Sequence, residues 1–437
     1  MLDIALAKRL INCDHINMSN GPNIIVEGAG IAGLCAACEL ALRGAQVTVI
    51  DSNRHAGGDV HVIRDRRFSF DTGPVVLTFP EMVSELFTKA GRDSSDYFRL
   101  FELDPQPRFW FEDGVILNLN RDPAVFGRML DQQFPLTRPG AEWLQFMAHC
   151  RHEVPRNGLT LTRDPMGEKR ARKVVKDRYV RRVTEYCAGD LRDWFQWDVA
   201  SERARFGMWY PMGGMREVVK GLERLAAELG VQFKYGAQPN ARVGEHKSGE
   251  KFLTPEFDAS PKNVLQSSKA ELRQKFRKIS FFLGLSKRYE HLTFLNVFFS
   301  KNLEEETHAL FERKEHAQDM TIEVVSPCII DPIHAPVGGD AMRVVVRTPL
   351  PGGDEKWGGP DGLTALYRAA ILKKLKRFGM EDIEHRIVTE YVMTPPDREK
   401  WCNDTGETTD ISDAIEYGTT EADFTLARCD TMKTTNV

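Results

Sequence analysis

The chain has no apolar run long enough to cross a bilayer, which takes about 18–20 residues; its best, residues 292–299, has the length of a strand. Cysteine is sparse: eight in 437 residues, scattered from Cys13 to Cys429, which is no disulfide framework and points to reduced thiols in an intracellular setting. There is no cationic excess, since 59 Lys and Arg stand against 63 Asp and Glu for a net charge of −4, so the chain as a whole is no polyanion binder. Residues 1–22 carry Lys8 and Arg9 but no sustained apolar core before a small-residue cleavage site, so no secretory signal is expected there. His149, Cys150 and His152 stand isolated and read as a solvent-facing group, not as a zinc site. No metal cluster and no Ser/His/Asp constellation is found. With 42% hydrophobic and 28% charged residues, the composition excludes a disordered or fibrous chain. At about 150 residues per domain, the length allows two or three domains.

The informative segment begins at residue 23. A short β-branched run leads through Glu27 into Gly28-Ala29-Gly30-Ile31-Ala32-Gly33. An Ala- and Leu-rich helical stretch follows to Arg43, with Gly44 placed to end it, and residues 46–50 read as a second buried strand closing on Asp51. In such a strand–turn–helix–strand unit, Gly28 permits the tight turn and Gly30 lets the backbone approach a diphosphate. Gly33 lets helix and strand pack closely, and Asp51 can accept a ribose hydroxyl. The spacing predicts dinucleotide binding, and Asp51 disfavours a 2′-phosphate, which its charge would repel. Cys35 and Cys38 form a CxxC inside this helix, where they are expected to pack as small hydrophobes instead of acting in redox chemistry.

Beyond Asp51 and Ser52 come a second glycine pair, Gly57-Gly58, and then Asp71-Thr72-Gly73-Pro74. Tyr210-Pro211-Met212-Gly213-Gly214 precedes an amphipathic stretch in which Val218, Val219, Leu222, Leu225, Ala226 and Leu229 recur at helical spacing before Gly230. Further on stand Ser326-Pro327, Asp331-Pro332, Ala335-Pro336 with Gly338, and Thr394-Pro395-Pro396-Asp397. With these motifs in this order, residues 23–401 resemble the carotenoid and phytoene desaturase family of bacterial and fungal type, within the FAD-dependent amine oxidase-like flavoproteins.

The resemblance implies an α/β fold: a Rossmann-like FAD/NAD(P)-binding domain with an inserted mixed-sheet substrate domain and a helical membrane-contact region. It divides the chain into an extension (1–22), a first FAD-binding part (23–100), a substrate and membrane-contact region (101–209), a return to the FAD-binding part (210–237), a mixed-sheet substrate domain (238–401) and a tail (402–437). It implies FAD as cofactor, held by Gly28, Ala29, Gly30, Ile31, Ala32, Gly33, Asp51, Ser52, Gly57, Gly58, Asp71, Gly73, Pro74, Gly213 and Gly214. The implied activity is desaturation of a lipophilic polyene such as phytoene, with a quinone or oxygen as electron acceptor and no nucleic acid partner. Carotene isomerase, retinol saturase-like and amine oxidase-like chemistry are the alternatives, as is an impaired, membrane-associated binding protein. The family places an Arg after its second glycine pair, where this chain has Asp59; Arg54, Arg64 and Arg66 are the expected substitutes.

Residues 169–182 are strongly basic, and Val175, Tyr179, Val183 and Tyr186 mark a helical stripe within and beyond them, followed by Trp194, Phe195, Trp197, Phe206, Trp209 and Tyr210. This reads either as a solvated cationic face over a core stripe or as a peripheral membrane contact, with basic groups on headgroups and aromatics at the interface. Residues 238–278, polar and lysine-rich, show no strand alternation. Residues 402–437, Thr- and acid-rich with only Gly406 and Gly418, read as a disordered tail. They lack the glycine-rich loop that the resemblance implies there, and weak FAD binding is the expectation that follows.

Overall fold

The computed structural model describes residues 23–58, 60–78, 80–152, 175–187, 207–236, 251–253, 277–350 and 355–398. Asp59, residues 169–174, Trp194, Phe195, Trp197, Phe206 and residues 402–437 lie outside that set, and with them the tail reading.

A parallel sheet carries the first half. Strands β1 (Asn23–Glu27) and β2 (Gln46–Asp51) flank helix α1 (Ile31–Leu42) in sequence, while β9 (Gln232–Tyr235) pairs with β2 and β10 (Lys251–Leu253) with β1, giving the order β10-β1-β2-β9. Strand order therefore runs in both directions from β1, and the crevice beyond the carboxyl ends of β1 and β2 is where such sheets bind ligands. Helix α1 is not strongly amphipathic because it is enclosed: Gly33, Leu34, Cys35, Ala37, Cys38 and Leu40 are all buried between the sheet and helix α6 (Met215–Glu228). Small side chains are what such a layer admits. The periodicity predicted for α6 holds, with Val218, Val219, Leu222, Leu225 and Ala226 buried. Helix α2 (Pro80–Lys89) closes the layer, its Lys89 paired with Glu39 at 3.2 Å.

Strand β10 differs from the expectation for residues 238–278. Three residues pair in register with Ile24, Ile25 and Val26, too short a segment for alternation to show; its partner defines it.

The second sheet has seven strands in the order β15-β11-β14-β13-β12-β6-β7: Ile387–Met393, Arg277–Leu285, Asp340–Thr348, Ile322–Val325, Leu295–Phe298, Pro107–Trp110 and Ile116–Asn118. All pairings are antiparallel except β12 with β6. Helix α7 (Leu363–Arg377) buries Tyr367, Ile371, Leu372 and Leu375 in the same core as the β14 residues Met342, Val344 and Val346. Helices α3 (Pro123–Gln133), α4 (Gly140–His152) and α5 (Arg178–Cys187) share a further core with Phe109, Phe111 and Phe299.

Two small ribbons join the layers: β3 (Val62–Asp65) with β4 (Phe68–Asp71), and β5 (Leu100–Glu102) with β8 (Trp209–Pro211). Phe68 and Phe70 of β4 bury against Phe282 and Ala341 of the large sheet. Each phenyl ring so buried contributes roughly 1.5–3 kcal/mol, and this contact carries Asp71 onto that sheet.

Part of the stripe predicted for the basic segment is confirmed: Val175, Tyr179 and Val183 are buried. Two of its four described cations are engaged. Arg178, though exposed, has Nη2 2.6 Å from Asp113 Oδ2, and Arg182 donates to Ser300 O at 2.5 Å and Lys301 O at 2.8 Å, while Lys176 and Arg181 are exposed. Tyr210 is a core residue of β8. Among the described residues, no helix is long and apolar enough to cross a membrane.

Candidate functional site

The glycine turn takes the shape its spacing predicts. Gly28, at φ 96°, adopts a conformation open to glycine, and its N–H donates to Ile50 O at 2.8 Å, tying the turn to β2. Asp51 is buried; its Oδ2 accepts from Ala29 N at 2.6 Å and its Oδ1 from Asn53 N at 2.8 Å. A carboxylate offers about four lone-pair sites, so two backbone bonds leave it able to take a ribose hydroxyl as well. Ser52 beside it is half-buried. Helix α1 opens with no side-chain cap on Gly30 and no acid in its first turn. Its leading N–H groups, from Ile31 and Ala32 onward, thus face the crevice without a side-chain competitor, a setting suited to an anion. A Cβ on Gly33 would stand 1.8 Å from Gly28 O, so the strand–helix contact admits glycine alone.

The second glycine pair lies on the first. Gly57 N donates to Ala29 O at 3.0 Å, and a Cβ on Gly58 would meet Gly30 Cα at 3.1 Å. The cation on this pair is none of the expected ones. Arg54 and Arg64 are exposed, and Arg66 reaches Val388 O at 3.5 Å. Instead Arg216, from the first turn of α6, donates through Nη1 to Ala56 O at 2.7 Å. Sequence reasoning missed it because it stands far along the chain, in a helix otherwise read by its apolar stripe.

The other predicted residues gather around a second focus. Asp71 lies against Gly214, where a Cβ would be 2.6 Å from Asp71 Oδ2, and that oxygen accepts from Met215 N at 3.3 Å. Gly213 N donates to Asp331 Oδ2 at 2.6 Å, which docks the Asp331-Pro332 motif on the Gly213-Gly214 loop. Gly73, followed by Pro74, gives its carbonyl to Arg343 Nη1 at 2.5 Å. Tyr210 Oη stands 2.6 Å from His334 Nε2 and 3.4 Å from Asp331 Oδ2. Asp71, Tyr210, His334 and Arg343 line a small, partly open cavity with apolar walls from Phe70, Val75, Phe294 and Val325.

Burial sets the charge states here. It raises the Asp71 carboxyl to about 6, against the Met215 N–H bond and the Arg343 charge that lower it. It pushes the Tyr210 hydroxyl up and the His334 imidazole down, so a protonated tyrosine faces a neutral ring. Arg343 is brought down to about 10. Asp71 Oδ1 and Arg343 Nε are enclosed without a hydrogen-bond partner, an unusual state for buried polar atoms. Tyr210 and Asp331 lay within motifs the sequence displayed; His334 stood between the Asp331-Pro332 and Ala335-Pro336 pairs, in a short 3-10 turn, and was not singled out, while Arg343 in its apolar strand carried no local signal.

The CxxC is inert by the same physics. Cys35 and Cys38 are buried, desolvation raises the Cys35 thiol to about 12 and that of Cys38 further, and the nucleophilic thiolate is suppressed. Among the described residues, no group of three or more His, Cys, Asp or Glu is placed to hold a metal.

Residues 26–89 match the family model of the NAD(P)-binding Rossmann-like domain. The chain is 29% identical to 4,4'-diapolycopene oxygenase of Methylomonas sp. over 87% of its length and 86% of that protein. It is 28% identical to the zeta-carotene-forming phytoene desaturase of Myxococcus xanthus over 87% and 82%. It is 26% identical to 4,4'-diaponeurosporene oxygenase of Staphylococcus haemolyticus over 86% and 84%. Among solved structures, a Pyrococcus furiosus protein superposes with a TM-score of 0.51 at 14% identity, over 85% of this chain and 88% of that one. A Plasmodium falciparum Rab GDI does so at 0.50 and 12%, over 92% and 100%, a likeness of fold alone. From the Rossmann-like turn through the motifs that converge on the polar cavity, the chain resembles the carotenoid desaturases and the carotenoid oxygenases similar to them.

Proposed function

We propose that the chain is a FAD-dependent oxidoreductase that desaturates a lipophilic polyene of the carotenoid-precursor class, such as phytoene. The observation that carries the reading is convergence: the glycine turn, the Asp71-to-Pro74 segment, the Gly213-Gly214 loop and the Asp331-Pro332 motif, distant in sequence, meet at two adjoining foci. Gly28 to Gly33, Asp51, Ser52, Gly57 and Gly58 would hold the ADP half of the cofactor. Asp71, Gly73, Pro74, Gly213 and Gly214 would border its flavin half. Bound FAD supplies the two-electron oxidation of a carbon–carbon single bond. The chain's own contribution is to place that bond and exclude water. Phe70, Val75, Phe294 and Val325 give apolar walls, and Tyr210, His334, Asp331 and Gly213 pair with one another beside them.

Incubation of the protein with phytoene-bearing liposomes, FAD and a quinone, followed by pigment chromatography, tests the reading. More unsaturated products are expected; recovery of unchanged substrate from flavin-loaded protein would contradict it. The names of two of the relatives support a second outcome, oxygenation of an already desaturated polyene, which the same chromatogram would show as a more polar product.

Peripheral membrane contact belongs to this reading, because the substrate lives in the bilayer. The α3–α4 hairpin supports it: Leu136 is 99% exposed and Leu144 43%, with exposed Arg138 beside Leu136. Co-sedimentation with anionic liposomes should fall when Leu136 and Arg138 become Ser; unchanged binding would place the contact elsewhere.

A further inference from the structure

We propose that Arg216 is the cation that binds the diphosphate of the dinucleotide, an assignment that rests on the cofactor reading above. The glycine turn offers a diphosphate N–H groups and a helix dipole, but no formal positive charge: the first turn of α1 holds only Ile31, Ala32, Gly33 and Leu34. Asp51 lies against that turn, its carboxylate accepting from Ala29 N at 2.6 Å. An incoming diphosphate would therefore meet a negative charge with only a dipole to offset it.

Arg216 corrects that balance. Its Nη1 donates to Ala56 O at 2.7 Å and lies 2.7 Å from the point a Cβ on Gly57 would occupy, and Gly57 is itself bonded to Ala29 O at 3.0 Å. The guanidinium thus lies against the Gly57 backbone, which is itself hydrogen-bonded to the glycine turn. Gly57 lacks a side chain where the guanidinium sits, so the glycine pair makes room for the arginine as well as for close backbone packing. Every hydrogen bond of the Arg216 side chain among the described residues is made by Nη1, to Ala56 O, Val60 O and His55. Arg216 is half-buried, and with Nε and Nη2 making no hydrogen bond among the described residues, a guanidinium anchored through one nitrogen is suited to bind two phosphate oxygens at once. The α6 helix that carries it begins at Gly214, which touches Asp71, so one short segment links the two foci of the site.

The competing role is a brace that shapes residues 55–60 without touching the ligand. Titration of the full chain, stripped of flavin, with FAD, ADP and adenosine separates the two. Arg216→Gln should weaken FAD and ADP alike by roughly 10- to 150-fold, the span expected of a hydrogen bond to a charged group, while adenosine binding changes less than about threefold. The slope of ADP affinity against salt should also flatten, since one ionic contact is lost. Unchanged FAD affinity, or an equal loss for adenosine, overturns the assignment. Arg216→Lys keeps the charge and decides the matter should the glutamine variant not fold. ADP affinity within about tenfold of the parent, with its salt dependence intact, supports the proposal, and parallel loss of ADP and adenosine sinks it. A parent protein that binds neither FAD nor ADP would overturn the cofactor reading itself, a result visible before any variant is made.

Discussion

At the glycine turn, the groups that shape the backbone come from one stretch, residues 23–58, with Arg216 added on the second glycine pair. At the polar cavity, Asp71, Tyr210, Asp331, His334 and Arg343 arrive from separate elements and meet only in the folded chain. The first is held by steric exclusion, with no room for a Cβ on Gly33. The second is held by hydrogen bonds and by the cost of enclosing charge, with Gly213 N on Asp331 and two polar atoms left without partners. A site locked by shape has little pH dependence; a site locked by buried charge depends on pH.

The sharpest break in this contrast should come from Gly33→Ala. The added carbon would stand 1.8 Å from a backbone oxygen that no side-chain rotation can relieve, so a loss of more than about 4 kcal/mol is expected, the range of severe core lesions. Gly44→Ala is the control: its φ is 89° with nothing within 4 Å, and about 1–2 kcal/mol of conformational strain is its whole cost. Urea unfolding of both variants measures the difference, and similar midpoints would refute the steric account.

Next in size is Asp331→Ala, which strips the Gly213 N–H of its acceptor in a buried setting and should cost about 1–3 kcal/mol. Asp331→Asn keeps an acceptor and should cost less. Equal losses in urea unfolding would mean that charge, not the hydrogen bond, holds the loop.

The pH experiment concerns Asp71. Its carboxyl titrates near 6 in the folded chain against 3.8 for the free group. The folded state therefore favours the protonated form: the contribution is fully present below about pH 4 and is lost as pH rises through 6. Linkage over that interval amounts to about 3 kcal/mol at most. The stability difference between the parent and Asp71→Asn should grow by that order from pH 4 to pH 7, with the parent losing ground. A constant difference would show that Asp71 is ionised without penalty.

The same contrast explains what could be read in the sequence. Gly28, Gly30, Gly33 and Asp51 were legible because each is required by a partner within one supersecondary unit. The α6 stripe was legible because apolar residues repeat at the helical period. Strand β10 was hidden by its length, since three residues show no alternation. His334 and Arg343 were hidden because their roles depend on which strands lie beside them, and Arg343 stands in a run otherwise fit for a plain buried strand. The basic segment was legible as a helix but not as a partner set: Arg178 and Arg182 find their acceptors at Asp113, Ser300 and Lys301, and nothing within the helix announces them.

The most direct test of a dinucleotide on the glycine turn is Gly30→Ala. Gly30 has an ordinary backbone, φ −68° and ψ 174°, and a Cβ there would lie 3.7 Å from Gly58 Cα, a normal contact. Unlike Gly33→Ala, this variant should fold and melt as the parent does. The added methyl group would narrow the gap between the glycine turn and the second glycine pair, beside which the diphosphate is expected to lie, so FAD affinity, measured by quenching of flavin fluorescence on titration, should fall at least about tenfold. A Gly30→Ala protein that melts normally and binds FAD as tightly as the parent would contradict the account.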